Sequence, residues 1–591
     1  MRESLSANGT EKQTDWNAIN WKKANRTVRN LRQRIFRAAQ EGNLKKVHSL
    51  QKLMLKSYSN RLVSVRRVAQ INTGKNTPGV DKLVMKTPEA RAKMVDTLAH
   101  YSLWKAKPAR RVYIPKTSGK CRPLGVPVMM DRCLQSMVKN ALEPAWEAKF
   151  ESTSYGFRPG RSCHDAIEKI FALARPNKTK KWALDADIKG AFDTISHSHL
   201  QEAIGPVPGK ELIKQWLKAG YVEKEMFYAT EQGTPQGGVI SPLLLNIALH
   251  GMEDTIGVKY NCRSEIIGKR AVVRYADDFV CFCETKEDAE QTRQILMKWL
   301  KDRGLTLSEE KTRIIHLTEG FDFLSFNIRQ YPAPQTTKTG WKLLIKPSKA
   351  AVQAVQKKLK DLWIKGRGSN LQATLTKLNP IIRGWANYFR TVVAKEIFSH
   401  LDNWMFYKAD RYTRWMHPNK SKDWRRRKYW GSLHLDREDR WVFGDKQTGG
   451  YLLKFRWFPI ERHVLVKGKA SPDDPKLRDY WMKRQAAKAK DLSFSKQKLA
   501  KRQKGRCPEC GESLFNDEDV QVHHLLARYN GGKSTYSNLA LVHLLCHQQI
   551  HAKTERRMQD CQQYNSPDLL TDKSTVTRCL NQEEKKEPCC T

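Results

Sequence analysis

Negative charge is what this chain lacks most. Its 61 aspartate and glutamate residues face 107 lysines and arginines, a formal excess of +46. The excess runs along the whole chain and is not gathered into a tail. A surface this basic calls for a polyanionic partner, and nucleic acid leads. Long apolar runs are missing too. No stretch of about 18 consecutive apolar residues occurs, which argues against a spanning helix and makes a membrane surface the weaker rival. The opening residues Met1-Arg2-Glu3-Ser4-Leu5-Ser6 contain no apolar signal region. Disulfides are not expected either. The 13 cysteines are scattered, except for one organised group near the C-terminus. Without a secretory signal, free thiols plus one metal site is the expectation.

What is present begins with residues 272–282 (VVRYADDFVCF). Two runs of β-branched and aromatic residues flank a short polar centre, the pattern of a β-hairpin. Asp277 and Asp278 then sit at or beside its tip. Taken alone, an aspartate-rich turn explains them equally well. A third carboxylate changes the balance. In residues 182–187, Trp182, Leu184 and Ala186 alternate with Ala183, Asp185 and Asp187, a short strand ending on a carboxylate. If that strand lies beside the hairpin, Asp187, Asp277 and Asp278 converge. Buried carboxylates need cations. Two Mg²⁺ ions suit them, since Mg²⁺ takes carboxylates together with substrate phosphates. Such a cluster fits two-metal phosphoryl or nucleotidyl transfer.

The motif Tyr-Ala-Asp-Asp, following an Asp-x4-Phe strand, resembles the palm of reverse transcriptases. Four further blocks resemble one family in particular, the reverse transcriptase–maturases encoded by group II introns, in their chloroplast-like class. These blocks are residues 111–127 (RVYIPKTSGKCRPLGVP), 233–246 (GTPQGGVISPLLLN), 304–312 (GLTLSEEKT) and 320–326 (GFDFLSF). The resemblance covers most of the chain to about residue 430. It implies an RNA-directed DNA polymerase with Mg²⁺ at Asp187, Asp277 and Asp278. It also implies Lys116 and Arg122 over the triphosphate, and Phe192 under the sugar, where its ring excludes a 2′-hydroxyl. Gln236 would contact the incoming nucleotide, and Lys311 would protonate the departing pyrophosphate. Asp185 and Asp193 are read as structural.

Taken in order, residues 1–15 are expected to be disordered. Residues 21–69 read as helical, with Val28, Leu31 and Ile35 at helical spacing among arginines that should face RNA. Residues 111–127 read as two strands with a turn at 117–120. Ser241 and Pro242 read as the cap and first position of a helix. Residues 320–326 read as a strand closing the palm. From residue 348 the period is helical again, with Asn379-Pro380 as a cap and first turn, and three helices suggest a thumb. Six tryptophans from Trp404 to Trp457 interleave with arginines and lysines. Aromatics beside cations can stack bases, although most of these rings are expected to fill a core.

A second chemical centre lies downstream. Cys507 and Cys510 open it, and five of the chain's 16 histidines fall between residues 523 and 551. This region resembles an HNH nuclease, a ββα-metal module with a structural zinc. His523, His547 and His551 would hold a divalent ion, the last two one helical turn apart. His524 would be the general base, and Asn538 would orient it by hydrogen bonding. Zinc would take Cys507, Cys510, His543 and Cys546, a Cys₃His set that suits tetrahedral coordination. The tail carries Cys589 and Cys590 with no partner that can be named.

The expected whole is an α+β multidomain chain. Residues 1–80 form a basic helical extension. Residues 81–345 form the fingers and antiparallel palm sheet of a right-hand polymerase, and 346–430 an α-helical thumb or maturase domain. Residues 431–500 form a basic DNA-binding region and linker, 501–560 the HNH module, and 561–591 a flexible tail. Expected partners are group II intron RNA, double-stranded target DNA, an RNA template–DNA primer hybrid and deoxynucleoside triphosphates, with no membrane. The expected setting is the bacterial or organellar cytoplasm or nucleoid, as a ribonucleoprotein. Two rival readings stand beside this one: an RNA-binding splicing cofactor without an active polymerase, and a reverse transcriptase of a defence or diversity system.

Overall fold

A computed structural model describes residues 13–115, 121–262, 265–334, 338–434, 436–516 and 518–564. Lys116, the turn at 117–120, residues 1–12 and the tail with Cys589 and Cys590 lie outside the described residues. Among the described residues no helix is long and apolar enough to cross a membrane.

The basic N-terminal segment folds into three helices, α1 (Trp21–Gln40), α2 (Leu44–Lys56) and α3 (Tyr58–Arg66). Asn20 and Asn43 start the first two by accepting from Lys23 N and Lys46 N, which satisfies amides that a helix end leaves open. On α1 the apolar stripe Trp21, Ala24, Val28, Leu31, Ile35 is buried. The stripe packs on the helix Met129–Glu147, which is itself buried on nearly every face. The arginines between the stripe residues divide. Arg26, Arg34 and Arg37 are exposed. Arg29 pairs with Glu512, and Arg32 reaches Glu143 and Asp473 at 2.9 and 2.7 Å. A uniformly outward-facing basic helix is therefore not what forms.

Strands β1 (Ala109–Pro115) and β2 (Cys121–Val126) form a hairpin extended by β4 (Tyr221–Glu223) and β5 (Met226–Tyr228), in the order β2-β1-β4-β5. The central sheet has the order β10-β3-β9-β8, built from β3 (Trp182–Asp187), β8 (Ala271–Tyr275), β9 (Asp278–Cys283) and β10 (Arg313–His316). Two short strands, β6 (Lys259–Tyr260) and β7 (Ile266–Ile267), pair on their own. In the central sheet the period of two is clean. Leu184, Ala186, Val272, Phe279 and Cys281 join one core, shared with the N-terminal helices. Ala183, Ala271, Val273, Val280 and Phe282 join a second, shared with the helices Lys349–Lys365, Leu371–Phe389 and Lys395–Met416. A sheet buried on both faces leaves its strand ends as the place for exposed chemistry.

Three local expectations are corrected. Residues 320–326 do not close the central sheet. They form β11 (Phe321–Phe323) and the start of β12 (Phe326–Pro332), which with β13 (Trp341–Pro347) make a separate sheet, and β10 takes the closing edge. Ser241 is the first residue of its helix and not the cap, because its hydroxyl donates to Pro235 O at 2.9 Å. Asn379 and Pro380 lie inside the helix Leu371–Phe389. The Asn379 amide is committed to Tyr451 O and Leu453 N, each at 2.9 Å.

Farther on, β14 (Trp430–Gly431) pairs with β15 (Val442–Phe443). The last strands, β16 (Val520–His524) and β17 (Leu539–His543), pair antiparallel ahead of the helix Leu544–Tyr564.

Candidate active sites

Asp187 ends β3, Asp278 opens β9, and the two are direct antiparallel partners, so their side chains share a face. Tyr275 pairs with Asp278, which leaves only Ala276 and Asp277 in the hairpin loop. Ala276 takes φ of +62°, a left-handed backbone that two-residue hairpin turns require. Neighbouring backbone holds this tip. Ile188 N donates to Asp277 O at 3.3 Å. A Cβ on Gly156 would lie 2.3 Å from Ala276 N, so only glycine fits there. Beneath the turn Arg274, buried in β8, donates to Asn246 Oδ1 at 3.0 Å and Ala276 O at 3.3 Å.

Burial, a hydrogen bond shared with Asp187 and the Asp277 charge push the Asp278 carboxyl up to about 8. Burial and the Asp187 charge also raise Asp277, while Arg122 and Lys311 oppose the rise. Burial takes Asp185 to about 7. Such a cluster resists full ionisation unless cations arrive. One is already present, because Lys311 Nζ bonds Asp187 Oδ2, and that bond raises Lys311. An open cavity of about 450 Å³ is lined by Asp185, Asp187, Asp278, Lys311, Arg313 and Asp322. Half-buried carboxylate oxygens with surplus negative charge are the donor set that Mg²⁺ takes.

The other residues named for this site fall around it. Phe192 lies in the short helix Ala191–Thr194, half-buried, edge-on to Phe157 at 6.3 Å between ring centroids. Gln236 Nε2 donates to Asp193 Oδ2 at 2.8 Å, so the two loops are joined. Arg122 is exposed on β2. Sequence reasoning missed Arg274, Asn246 and Gly156. The available signal was an arginine inside an otherwise apolar strand, which must find acceptors if buried.

The second centre stands on β16, β17 and the helix Leu544–Tyr564. His523, His547 and His551 bring ligating atoms within 4.8 Å of one another. Burial and the neighbouring imidazoles lower His523, and burial and His551 lower His547, which favours the neutral, ligating form. His524 faces elsewhere. Its Nε2 meets Ser534 Oγ at 3.1 Å and accepts from Arg528 Nε at 3.3 Å. Asn538 does not bond that ring. Its amide accepts from Leu526 N and donates to Leu526 O and Lys533 O, so it shapes the loop after His524 instead of orienting the imidazole. Cys507, Cys510, His543 and Cys546 form a second, fully buried cluster. His543 Nε2 donates to Ser513 O at 3.0 Å, and its Nδ1 faces Cys510 Sγ at 3.3 Å and Cys546 Sγ at 3.9 Å. A ring fixed by a backbone carbonyl on one nitrogen, with thiols on the other, fits zinc.

Trp415 and Trp441 are 50% and 53% exposed, with Arg367 and Arg426 over their rings, whereas Trp430 is 5% exposed.

Known proteins agree with this layout. Residues 16–98 match the N-terminal domain of reverse transcriptase, and residues 114–328 match reverse transcriptase (RNA-dependent DNA polymerase). Residues 352–430 match the group II intron maturase-specific domain, and 507–553 match HNH endonuclease. Protein YkfC of Escherichia coli (strain K12) is 35% identical over 306 residues, 45% of this chain and 80% of that protein. Group II intron-encoded protein LtrA of Lactococcus lactis subsp. cremoris is 32% identical over 320 residues, 44% of this chain and 53% of that protein, so the match spans about half of LtrA. Maturase-like protein 1 of Euglena gracilis is 24% identical over 376 residues, 63% of this chain and 76% of that protein. With a carboxylate pair at a hairpin tip and a histidine cluster on a ββα unit, the chain belongs to the group II intron reverse transcriptase–maturase family and carries an HNH endonuclease domain.

Proposed function

We propose that this protein copies intron RNA into DNA, assists intron splicing and nicks target DNA, acting in retrohoming by target-primed reverse transcription. The observation that carries the proposal is the direct pairing of Asp187 with Asp278 beside the Asp277 turn. These three carboxylates hold two Mg²⁺ ions. When bound, the ions neutralise developing phosphate charge and activate the attacking hydroxyl. The primer 3′-hydroxyl attacks the α-phosphate of a deoxynucleoside triphosphate, paired to the RNA template. Arg122, with Lys116, steadies the triphosphate. Phe192 packs under the sugar and excludes a 2′-hydroxyl. Gln236, held by Asp193, aligns the nucleotide, and Lys311 delivers a proton to pyrophosphate.

In the nuclease module His523, His547 and His551 hold a divalent ion, which when bound polarises the scissile phosphodiester. His524 takes a proton from water, and Asn538 keeps its loop in shape. Zinc at Cys507, Cys510, His543 and Cys546 is structural. Residues 81–345 then act as fingers and palm, 346–430 as thumb, 431–500 as the DNA-binding region and linker, and 501–560 as the nuclease. The helical layer before residue 80 meets RNA through Arg26, Arg34 and Arg37. The particle works in the cytoplasm or nucleoid as a ribonucleoprotein.

Primer extension on an RNA template, wild type against Asp277→Ala, tests the polymerase. Loss in the variant is expected, and equal extension by both would remove the claim. His524→Ala should stop DNA nicking and leave extension intact, and loss of both together would contradict separate centres.

A further inference from the structure

The zinc-type cluster does not stand alone in its module. Arg66, the last residue of α3, is 6% exposed and donates from Nη2 to Cys546 Sγ at 3.1 Å. Its guanidinium also lies 4.5 Å from the Trp21 ring centroid, and its Nη1 is buried with no hydrogen-bond acceptor. A buried cation in this position needs a counter-charge. Neutral thiols cannot supply one, and the Glu518 carboxylate, which adds to the field at Arg66, forms no ion pair with it. Zinc bound by three thiolates and one imidazole leaves a net charge of −1, the three thiol protons having passed to solvent. Arg66 is the cation that cancels it.

Other contacts join the same two surfaces. Asn25 Nδ2, on α1, donates to Cys510 O at 3.1 Å. Gln549 Nε2 donates to Asn17 O at 3.2 Å and Ile19 O at 3.1 Å. Arg29 pairs with Glu512. Trp16, Trp21, Leu541 and Cys546 share one apolar core.

We infer that zinc loading and docking of the nuclease module onto the N-terminal helical layer are one coupled event, with Arg66 as the positioning residue that reads the charge of the loaded knuckle. The inference rests on the zinc reading of the cluster. It makes the placement of the nuclease beside the polymerase depend on metal. Without zinc the net charge of the loaded site is absent, and the module loses the charge contact that seats it.

The test uses the full chain. Zinc transfer to a chromophoric chelator reports loading, and trypsin cleavage within residues 488–504 reports undocking. Arg66→Met should weaken zinc retention roughly 10–100-fold, the usual range for a group that supports metal ligands. It should speed cleavage by a similar factor, and Arg66→Lys should recover most of both. In a Cys507→His background the loaded site is neutral, and the same Arg66→Met change should then have less than about a third of its effect on a logarithmic scale. Wild-type retention and cleavage in Arg66→Met overturn the inference. So does an equal effect in both backgrounds, which would mark Arg66 as packing. If Cys507→His binds no zinc, the comparison of Lys with Met at position 66 decides alone, and equal loss in both sinks the charge argument. Wild-type protein that holds no zinc overturns the zinc reading itself, a result distinct from zinc-loaded protein indifferent to Arg66.

Discussion

Replacing Asp278 by asparagine should stabilise the metal-free protein while ending its polymerase activity. In the folded chain, burial, the Asp187 hydrogen bond and the Asp277 charge push this carboxyl from an ordinary 3.8 up to about 8. The folded state therefore keeps a proton that the unfolded chain releases above about pH 4. By linkage, stability falls as pH rises from the unfolded value to the folded one, at up to about 1.4 kcal/mol per pH unit for one group. Between pH 6 and 8 the wild type should lose roughly 2–3 kcal/mol that the asparagine variant keeps. With about 2–4 °C per kcal/mol for a domain of this size, the gap between the melting points should widen by roughly 5–10 °C over that range. Thermal unfolding in the presence of chelator measures it, taking the difference between the two proteins so that other titrating groups cancel. Saturating Mg²⁺ should close the gap by raising the wild type more than the variant. Extension by the variant should fall by two or more powers of ten, since a metal clamp supplies several kcal/mol of charge stabilisation. A difference that does not change with pH, or a variant less stable than wild type at pH 8 with chelator, would refute the reasoning.

Arg274→Met should cost about 1–3 kcal/mol in urea unfolding, because it leaves the Asn246 carbonyl and the turn carbonyl of Ala276 without their donor. Lysine there should recover part of the loss, since both bonds leave one nitrogen, Nη1, and a single ammonium can donate to two acceptors. Trp415→Ala and Trp441→Ala should each weaken single-strand binding by about 1–3 kcal/mol with unchanged melting, whereas Trp430→Ala should lower the melting point first. Tryptophan fluorescence titration and calorimetry separate the two outcomes. Duplex affinity should fall with salt at a log–log slope of about −0.9 per phosphate neutralised, and a flat response would contradict an electrostatic grip.

The strands around Asp187, Asp277 and Asp278 were legible because a sheet buried on both faces leaves apolar, β-branched and aromatic runs that the carboxylates interrupt. The cysteine and histidine groups were legible because ligands need fixed spacing. What escaped was long-range. Arg29 and Arg32 read as RNA-facing cations, yet their carboxylates lie in residues 473 and 512, and in 143, which no local pattern links to them. The hairpin at Leu324 and Ser325 was missed because both residues take positive φ, of 50° and 71°, with no glycine or asparagine to announce it. Pro380 misled for the opposite reason. It is a strong breaker, but it sits inside a continuous helix whose Asn379 is engaged by a distant segment. Arg274 could have been suspected, but its acceptors could not have been named.

The reach of Arg66 to Cys546 spans 480 positions. At a ribosome's pace of about 5–20 residues per second, roughly 24–96 seconds separate the synthesis of those two residues. Through that interval the helices around Arg66 carry open cationic sockets beside a polymerase core that can already fold, and a domain made later is the one that fills them.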